Sequence, residues 1–308
     1  MSTERADVVI VGAGLAGSAS ARALASRGRS VVLLEAFQPG HRRGSSHGSA
    51  RIFRRAYPDP LYVRLTGQAQ VLWRELADET GEELVTATGA LDYGPAREQE
   101  KMHEILTGFG VPAELMAPGA AAERWPGMSF GPDPVMFHPD GGVIDPERAM
   151  AAMRGIAVAR GAQVRYGSPV LRVEADDDGA TVHTADLSWR APVVIVAAGA
   201  WLEPLLGAVT TGDSRDGIVS PAARDRVREF VRQRLGGLDP TPVGEVTCLY
   251  TSTASEDFIL DRRGPFVVCS PCSGHGAKFA PLVGEIAADL ACGGAAPDRR
   301  FTLAAHLG

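Results

Sequence analysis

Lysine is scarce in this sequence: among 31 cationic side chains in 308 residues, only Lys101 and Lys278 are lysines, and all others are arginines. Aspartate and glutamate number 37, which gives a net charge of −6 and no positive surface of the kind that nucleic acid requires. The same balance argues against binding to anionic membranes. We therefore expect neither a nucleic acid nor a membrane among the partners.

Long apolar runs are also lacking. The chain begins MSTERADVVIVGAGLAG, where the apolar stretch is too short to span a membrane and has no cleavage pattern. We identify no signal peptide and expect a cytoplasmic location. With 45% hydrophobic and 22% charged residues, the composition is ordinary for a soluble globular enzyme.

Cysteine is too rare for a disulfide framework. Cys248, Cys269, Cys272 and Cys292 are few and clustered, unlike the cysteines of small secreted domains. Cys269 and Cys272 form a CxxC, but no second CxxC or nearby histidine pair completes a zinc site. We expect no metal, and we expect these two cysteines to pack in the interior or to line a ligand site.

Two apolar strands with a glycine-rich turn between them open the chain. Residues 7–12, DVVIVG, and residues 30–35, SVVLLE, are short continuous apolar runs typical of buried parallel strands. The turn GAGLAG follows the first run and leads into SASARALASRG, a helix whose small side chains allow close packing on a sheet. This segment contains, in order, a strand, GxGxxG, a helix, a second strand and an acidic residue. That order indicates a dinucleotide-binding unit.

The chemistry of this unit depends on four residues. Gly12, Gly14 and Gly17 let the backbone approach a pyrophosphate, whose negative charge faces the amino terminus of the helix. Glu35, at the end of the second strand, can accept hydrogen bonds from ribose hydroxyls and would repel a 2′-phosphate. The pattern therefore favours FAD or NAD over NADP.

The rest of the chain alternates strands and helices, which predicts an α/β fold. Residues 38–57 are rich in Gly, Ser, His and Arg and predict a loop that crosses a ligand site. The pattern predicts helices over 60–80, 97–109, 117–125, 146–160, about 221–235 and 281–292, and strands over 88–93, 163–166, 169–175, 180–184, 192–201, 246–253 and 266–269.

Five segments occur in one order: GAGLAG with Glu35, GSSHGSARIFRRAY, VIVAAGAW, CLYTST and SGHGAKF. This set resembles the monomeric sarcosine oxidase and N-methyltryptophan oxidase family, within the D-amino-acid-oxidase-like FAD-dependent oxidoreductases. The resemblance implies a Rossmann-like FAD-binding domain and a reduced mixed-sheet substrate domain. We assign residues 1–50, 142–209 and 246–308 to the FAD-binding domain, and residues 51–141 and a remnant over 210–245 to the substrate domain.

The resemblance also implies roles for single residues. Arg54 and Lys278 match the pair that holds the substrate carboxylate, which suits a forked guanidinium and a compact ammonium. Cys248 matches the cysteine that bonds covalently to the flavin. His47 and Arg51 match residues that lie against the flavin ring, where a cation stabilises the anionic reduced form.

The turn SGHG has a separate implied role. Its residues Gly274, His275 and Gly276 are expected beside the flavin. For His275 we expect a contribution to the backbone geometry of the turn more than proton transfer.

The chain departs from the family in length. After Val209 the sequence runs straight into TTGD, residues 210–213, whereas relatives carry several strands of the substrate-domain sheet between these points. In relatives that block holds the lysine that activates oxygen, together with a histidine and a tyrosine of the substrate pocket. Lys278 already has a role and Lys101 lies on a helix far from any motif, so neither replaces it.

Three functions follow from these observations. The first is an FAD-dependent oxidase of N-methyl or other secondary amino acids, which uses molecular oxygen and gives an imine, then an aldehyde and an amine, with hydrogen peroxide. The second is a degenerate flavin-binding protein with little oxidase activity. The third is a flavin dehydrogenase that passes electrons to an acceptor other than oxygen.

Overall fold

Strands and helices alternate along the chain in the computed structural model, which describes residues 2–202, 213 and 216–306. The strands are β1 (Thr3–Arg5), β2 (Val8–Val11), β3 (Val31–Leu34), β4 (Arg51–Phe53), β5 (Val85–Ala87), β6 (Ala90–Asp92), β7 (Glu114–Met116), β8 (Val135–His138), β9 (Gly142–Ile144), β10 (Gln163–Arg165), β11 (Arg172–Asp176), β12 (Gly179–His183), β13 (Ser188–Ala191), β14 (Val193–Val196), β15 (Ile259–Arg263) and β16 (Phe266–Ser270).

The helices divide into long ones that cover the sheets and short turns. The α-helices are α1 (Leu15–Ser26), α2 (Pro60–Thr80), α3 (Gln99–Gly108), α4 (Pro118–Arg124), α5 (Pro146–Ala159), α6 (Pro221–Arg234), α7 (Ala280–Cys292) and α8 (Leu303–His306). Short 3-10 turns cover Gly199–Trp201, Gly276–Phe279 and Arg299–Phe301. Among the helices described, none is long and apolar enough to cross a membrane.

The central sheet has the strand order β10-β3-β2-β14-β16-β15, and its neighbouring strands are parallel except for β15 and β16. Every residue of β2 is buried, because both faces of the sheet are covered. Val8 and Ile10 belong to the core shared with the helices, whereas Val9 and Val11 pack with Trp189 of the second sheet, β1-β13-β12-β11. This layering confirms the predicted α/β class.

Helices α1 and α7 meet at small residues. A Cβ atom at Gly284 of α7 would lie 2.5 Å from the carbonyl oxygen of Ala19 in α1, a distance that excludes any side chain there. The alanine-rich composition of α1 therefore allows close packing against another helix, whereas the sequence predicts close packing on a sheet. Two further sheets, β4-β9-β5 and β6-β8-β7, come from residues 51–144.

One predicted strand is wrong. Residues 246–253 form neither strand nor helix. Their backbone groups bond to loops instead of to a neighbouring strand: Ser273 N donates to Thr251 O over 3.0 Å, and the Ser45 hydroxyl donates to Leu249 O. This β-branched and aromatic run therefore lies outside any sheet, and its residues Cys248 and Tyr250 line the ligand cavity.

Other boundaries need smaller corrections. The predicted loop 38–57 contains strand β4, which pairs with β9, so its last part is in a sheet. The predicted strand 88–93 is reduced to β6. Strands that the sequence did not predict are β1, β5, β7, β8, β9, β13 and β15. The point after Val209, where the sequence departs from the resembled family, lies outside the described residues.

Candidate active site

A cavity of about 1300 Å³ opens at the carboxyl ends of the parallel strands. It is lined by residues that end or follow β2, β3, β14 and β16, among them Gly12, Glu35, Ala197 and Ser270. In open α/β sheets ligands bind in the crevice at this edge. The predicted dinucleotide site thus lies in this cavity.

The glycines of the first turn leave no room for side chains. Gly12 has φ +99°, and a Cβ atom there would lie 2.6 Å from Ala197 O. A Cβ atom on Gly17 would lie 1.8 Å from the carbonyl oxygen of Gly12. Gly14 is the N-cap of α1, and the next amide, Leu15 N, donates to Ser46 Oγ over 3.1 Å at the cavity wall. The helix amino terminus therefore faces the cavity, as an anionic pyrophosphate requires.

Glu35 is buried and held by backbone amides. Its Oε2 accepts a hydrogen bond from Ala13 N over 2.8 Å, and its Oε1 accepts one from Phe37 N over 3.1 Å. Two carboxylate oxygens offer about four acceptor positions, so acceptors remain for ribose hydroxyls. The glycine turn, the helix terminus and this carboxylate together fit the adenosine and pyrophosphate portions of FAD.

Cys248, His47 and Arg51 meet at one wall of the cavity. Arg51 Nη2 lies 3.6 Å from Cys248 Sγ and also donates to the carbonyl oxygens of Ser45 and His47, over 2.8 Å and 2.6 Å. His47 Nε2 lies 3.8 Å from the same sulfur, and the His47 side chain is buried whereas Cys248 is exposed. Residues 201 positions apart are thus brought together around a single thiol.

Lys278 is almost completely buried, at 5% exposure, in the 3-10 turn that precedes α7. Its Nζ donates to His275 O over 2.7 Å. Burial, reinforced by the nearby Arg54 guanidinium, lowers the pKa of this ammonium to about 7. Arg54 lines the same part of the cavity, so two cationic side chains from distant segments converge there.

Sequence reasoning missed the carboxylate that accompanies these cations. Asp92, at the end of β6, is buried, and its Oδ1 lies 3.5 Å from Arg54 Nη1. Arg97 Nε donates to the same Oδ1 over 3.0 Å. Nothing in the local sequence marks Asp92, because only the pairing of β6 with β8 directs it towards the cavity.

Sequence reasoning also missed Tyr57. Its hydroxyl lies 3.1 Å from His275 Nδ1, while His275 Nε2 lies 3.0 Å from Glu256 O. A carbonyl only accepts, so Nε2 carries the proton and Nδ1 accepts from the tyrosine hydroxyl. Burial lowers the pKa of His275, and its neutral ring is held from both sides.

The turn around His275 has tight backbone geometry. Gly274 has φ +74°, in the left-handed region that glycine adopts most readily. A Cβ atom on Gly276 would lie 1.7 Å from Pro271 O, which excludes a side chain. The turn therefore depends on glycine at both positions, and the role expected for His275 stays a prediction.

The structure collects the predicted site residues at one cavity, with the exception of Gly17, which supports the glycine turn from behind. Lining the cavity are Gly12, Gly14, Glu35, His47, Arg51, Arg54, Cys248, Gly274, His275, Gly276 and Lys278. Cys269 and Cys272 line it too, and complete burial raises the pKa of the Cys269 thiol to about 12. Among the described residues, no group of three or more His, Cys, Asp or Glu side chains could hold a metal ion.

Comparison with known proteins gives three kinds of similarity. Residues 7–213 match the family model described as DAO, FAD dependent oxidoreductase. The chain is 29% identical to the monomeric sarcosine oxidase of Streptomyces avermitilis, with 94% of each chain covered, and 27% identical to the N-methyl-L-tryptophan oxidase of Salmonella heidelberg, with 93% and 95% covered. The first alignment extends over 360 positions although this chain has 308 residues, so that relative has segments without a counterpart here.

Solved structures are similar over the same extent. An open form of NikD, described as an unusual amino acid oxidase essential for nikkomycin biosynthesis, has a TM-score of 0.84 and 25% identity, covering 97% of this chain and 98% of that one. L-proline dehydrogenase from P. horikoshii has a TM-score of 0.81 at 20% identity, covering 98% and 97%, and shares the fold.

Proposed function

Because the chain belongs to the DAO family of FAD-dependent oxidoreductases, we propose that it is an oxidase of N-methyl or other secondary amino acids that acts on their CH–NH bond. One observation carries the proposal: Arg54 and Lys278 line the same cavity as Cys248, His47 and Arg51. A pair of cations beside a flavin site suits a substrate with one α-carboxylate.

Bound FAD would supply the two-electron chemistry, taking a hydride equivalent from the carbon beside the amine nitrogen and passing the electrons to oxygen with formation of hydrogen peroxide. Gly12, Gly14 and the amino terminus of α1 would hold its pyrophosphate, and Glu35 its ribose. Arg51 and His47 would lie against the ring system. Each of these groups faces the cavity.

We further propose that Cys248 bonds covalently to the flavin. The thiolate would attack the carbon of an electron-poor methyl substituent on the ring. The new S–C bond would replace a C–H bond, with loss of a proton, and the two electrons would stay on the flavin until oxygen accepts them. The arrangement that supports this is the thiol between a guanidinium at 3.6 Å and an imidazole at 3.8 Å, exposed to the cavity.

The substrate would be held by this chain's own charges. Arg54 would meet the planar carboxylate with its forked donors, and Lys278 would add a point charge from a dry position. Asp92 would help to keep the Arg54 guanidinium in place, because its Oδ1 lies 3.5 Å from Nη1. The oxidised product, an imine, would then hydrolyse to an aldehyde and an amine.

A flavin dehydrogenase is the second candidate, and the lysines favour it. Catalysis of oxygen reduction benefits from a positive charge where superoxide or peroxide forms. Lys101 is exposed and paired with Glu98 over 3.2 Å, and Lys278 serves the carboxylate in our proposal. No third lysine exists in the sequence for that purpose.

Two assays separate these candidates. Sarcosine, N-methyltryptophan, pipecolate and proline are added without oxygen, and bleaching of the flavin absorbance is recorded; oxygen or an artificial dye is then admitted. Bleaching with fast peroxide formation is expected for the oxidase, and bleaching with turnover by the dye alone identifies the dehydrogenase. Flavin that none of these amines reduces would leave the degenerate flavin-binding protein.

Three further expectations remain proposals. We propose the five-segment division into an FAD-binding domain and a reduced substrate domain, supported by the derivation of the central sheet from residues 8–34, 163–165, 193–196 and 259–270. We also propose a cytoplasmic location and molecular oxygen as the second substrate.

A further inference from the structure

The ring of Tyr57 lies against both cations of the proposed carboxylate site. The Arg54 guanidinium carbon is 5.0 Å from the ring centroid, and Lys278 Nζ is 5.6 Å from it. Both distances fall within the range of cation–π attraction. Tyr57 itself is 7% exposed, so both contacts are largely shielded from water.

Lys278 depends on such contacts because its ammonium is buried. Its Nζ donates a hydrogen bond to the carbonyl of His275, and the centroid of the Phe279 ring lies 5.5 Å from it. A buried charge is costly unless it is paired or otherwise solvated by polar groups. The electron-rich faces of two aromatic rings partly replace the water that this ammonium loses.

The Tyr57 ring is itself fixed on several sides. Tyr62 of α2 stacks on it with centroids 5.2 Å apart and an interplanar angle of 24°. Its hydroxyl donates to the Nδ1 atom of His275, the residue whose carbonyl binds Lys278. The backbone of Lys278 is held in turn by Trp73 Nε1, which donates to Lys278 O over 2.8 Å. Tyr57 thus touches Lys278 directly and through His275.

We propose that Tyr57 is a positioning residue that holds Arg54 and Lys278 as one unit for the substrate carboxylate. The inference rests on the proposed function, because it takes these two cations as the carboxylate site. Neither cation could shift without losing its contact with the shared ring. We assign this role to the aromatic face, whereas the hydroxyl bonds to His275 and also interacts with Arg54.

The charged and titratable groups around Lys278 influence its titration. Arg54 faces it from the segment that follows β4, and His275 and Tyr57 are the titratable groups in contact with it. Asp92 lies beyond Arg54. None of these groups other than Tyr57 is altered in the experiment below.

The sequence makes a direct measurement possible, since Lys101 and Lys278 are its only lysines. Lysine labelled with carbon-13 at Cε gives two side-chain signals in the flavin-loaded protein, and Lys101 on the surface serves as internal control. The wild type, Tyr57→Phe and Tyr57→Leu are titrated, with the Lys278 midpoint of the wild type expected near 7. In Tyr57→Leu the midpoint is expected to fall by about half a pH unit to one unit. In Tyr57→Phe, which keeps the ring, the Lys278 midpoint is expected to stay at its wild-type value.

Ligand binding provides the second readout. Propionate is a carboxylate without an amine, and propionamide is its uncharged control; both are titrated against the flavin absorbance. Propionate affinity is expected to fall by about threefold to thirtyfold in Tyr57→Leu and to change little in Tyr57→Phe. An unchanged or raised Lys278 midpoint together with wild-type affinity in Tyr57→Leu would overturn the inference.

The same data separate this inference from the proposed function. If the wild type itself binds propionate no better than propionamide, the carboxylate site is refuted and the positioning role falls with it. If the wild type prefers propionate and both variants bind propionate as tightly as the wild type does, the carboxylate site stands and only the role of Tyr57 is refuted. Equal losses of propionate affinity in Tyr57→Phe and Tyr57→Leu would assign the effect to the hydroxyl and contradict the role of the aromatic ring.

Discussion

The sulfur of Cys248 lies 3.8 Å from Nε2 of His47. His47 belongs to the loop before β4, while Cys248 belongs to residues 246–253, which the sequence predicts as a strand. Because that segment is bonded to loops at Ser45 and Ser273 and not to a sheet, its thiol faces the cavity. The most direct prediction concerns this thiol.

Replacing Cys248 by serine is expected to remove the covalent bond to the flavin, so that acid releases the flavin from the protein. Acid precipitation of the wild type should give a yellow pellet, whereas Cys248→Ser should give a white pellet under a yellow supernatant. Cys292→Ser is the control, since Cys292 is exposed at the end of α7. A yellow pellet from Cys248→Ser with a white one from Cys272→Ser would place the link on Cys272 instead.

Carboxylate binding is expected to weaken as the pH rises through about 7. The pKa of Lys278 lies near 7 in the free protein, below the ordinary 10.5. A bound carboxylate favours the protonated form, so above this pH binding must take up a proton. Propionate affinity should therefore be constant at lower pH and fall by up to about tenfold per pH unit above it.

Lys278→Met is the control for this pH dependence. The variant should bind propionate weakly and with a flat profile over the same range, because the titrating group is gone. A sloping profile of wild-type shape in Lys278→Met would assign the titration to another group, such as His275, whose pKa is lowered from its ordinary 6.5.

Removing the charge of Asp92 is expected to destabilise the fold. Asp92→Asn leaves Arg54 and Arg97 without their shared carboxylate, and these side chains are only 24% and 37% exposed. Unpairing a charge in such a partly buried site should lower the free energy of unfolding by about 2 kcal/mol. Urea denaturation measures the change.

A surface pair offers the comparison for Asp92. Glu98→Gln breaks the exposed ion pair with Lys101 and should cost less than about 1 kcal/mol. Equal losses of stability in Asp92→Asn and Glu98→Gln would show that burial of Asp92 adds nothing to its interaction with the arginines.

Adding a methyl group at Gly17 is expected to weaken flavin binding. The new Cβ atom would lie 1.8 Å from Gly12 O, so the glycine turn or α1 must move away. Purified Gly17→Ala should carry less flavin per protein chain than the wild type, as measured by absorbance. Gly155→Ala in α5 is the control, because open space surrounds it, and its flavin content should be normal. Full flavin content in Gly17→Ala would show that the turn tolerates the shift.

The residues that sequence reasoning found share one property: their roles follow from local chain order. Gly12 and Glu35 stand at fixed places relative to two apolar strands, so the dinucleotide site was predictable from spacing alone. The resemblance added Arg54, Lys278 and Cys248 by their motifs. The structure brings these residues to one cavity, and their chemical roles stay predictions.

The residues that were missed depend on tertiary contacts. Asp92 became visible only through strand pairing that turns it towards Arg54. Tyr57 stands inside a quoted motif, yet nothing in a sequence shows that its ring contacts two cations from different segments. Residues 246–253 have the composition of a strand, but composition does not reveal whether a partner strand is available.

The hydrogen bonds of Glu35 reduce the conformational entropy that the protein loses when the cofactor binds. Because its carboxylate already fixes the amides of Ala13 and Phe37, the end of β3 and the glycine turn are locked together before any nucleotide arrives. Little chain ordering is then left for the moment of association, so the entropy lost on docking comes mainly from the ligand itself. The adenosine end of the site works as a preformed template on which the more mobile parts of a long cofactor can settle.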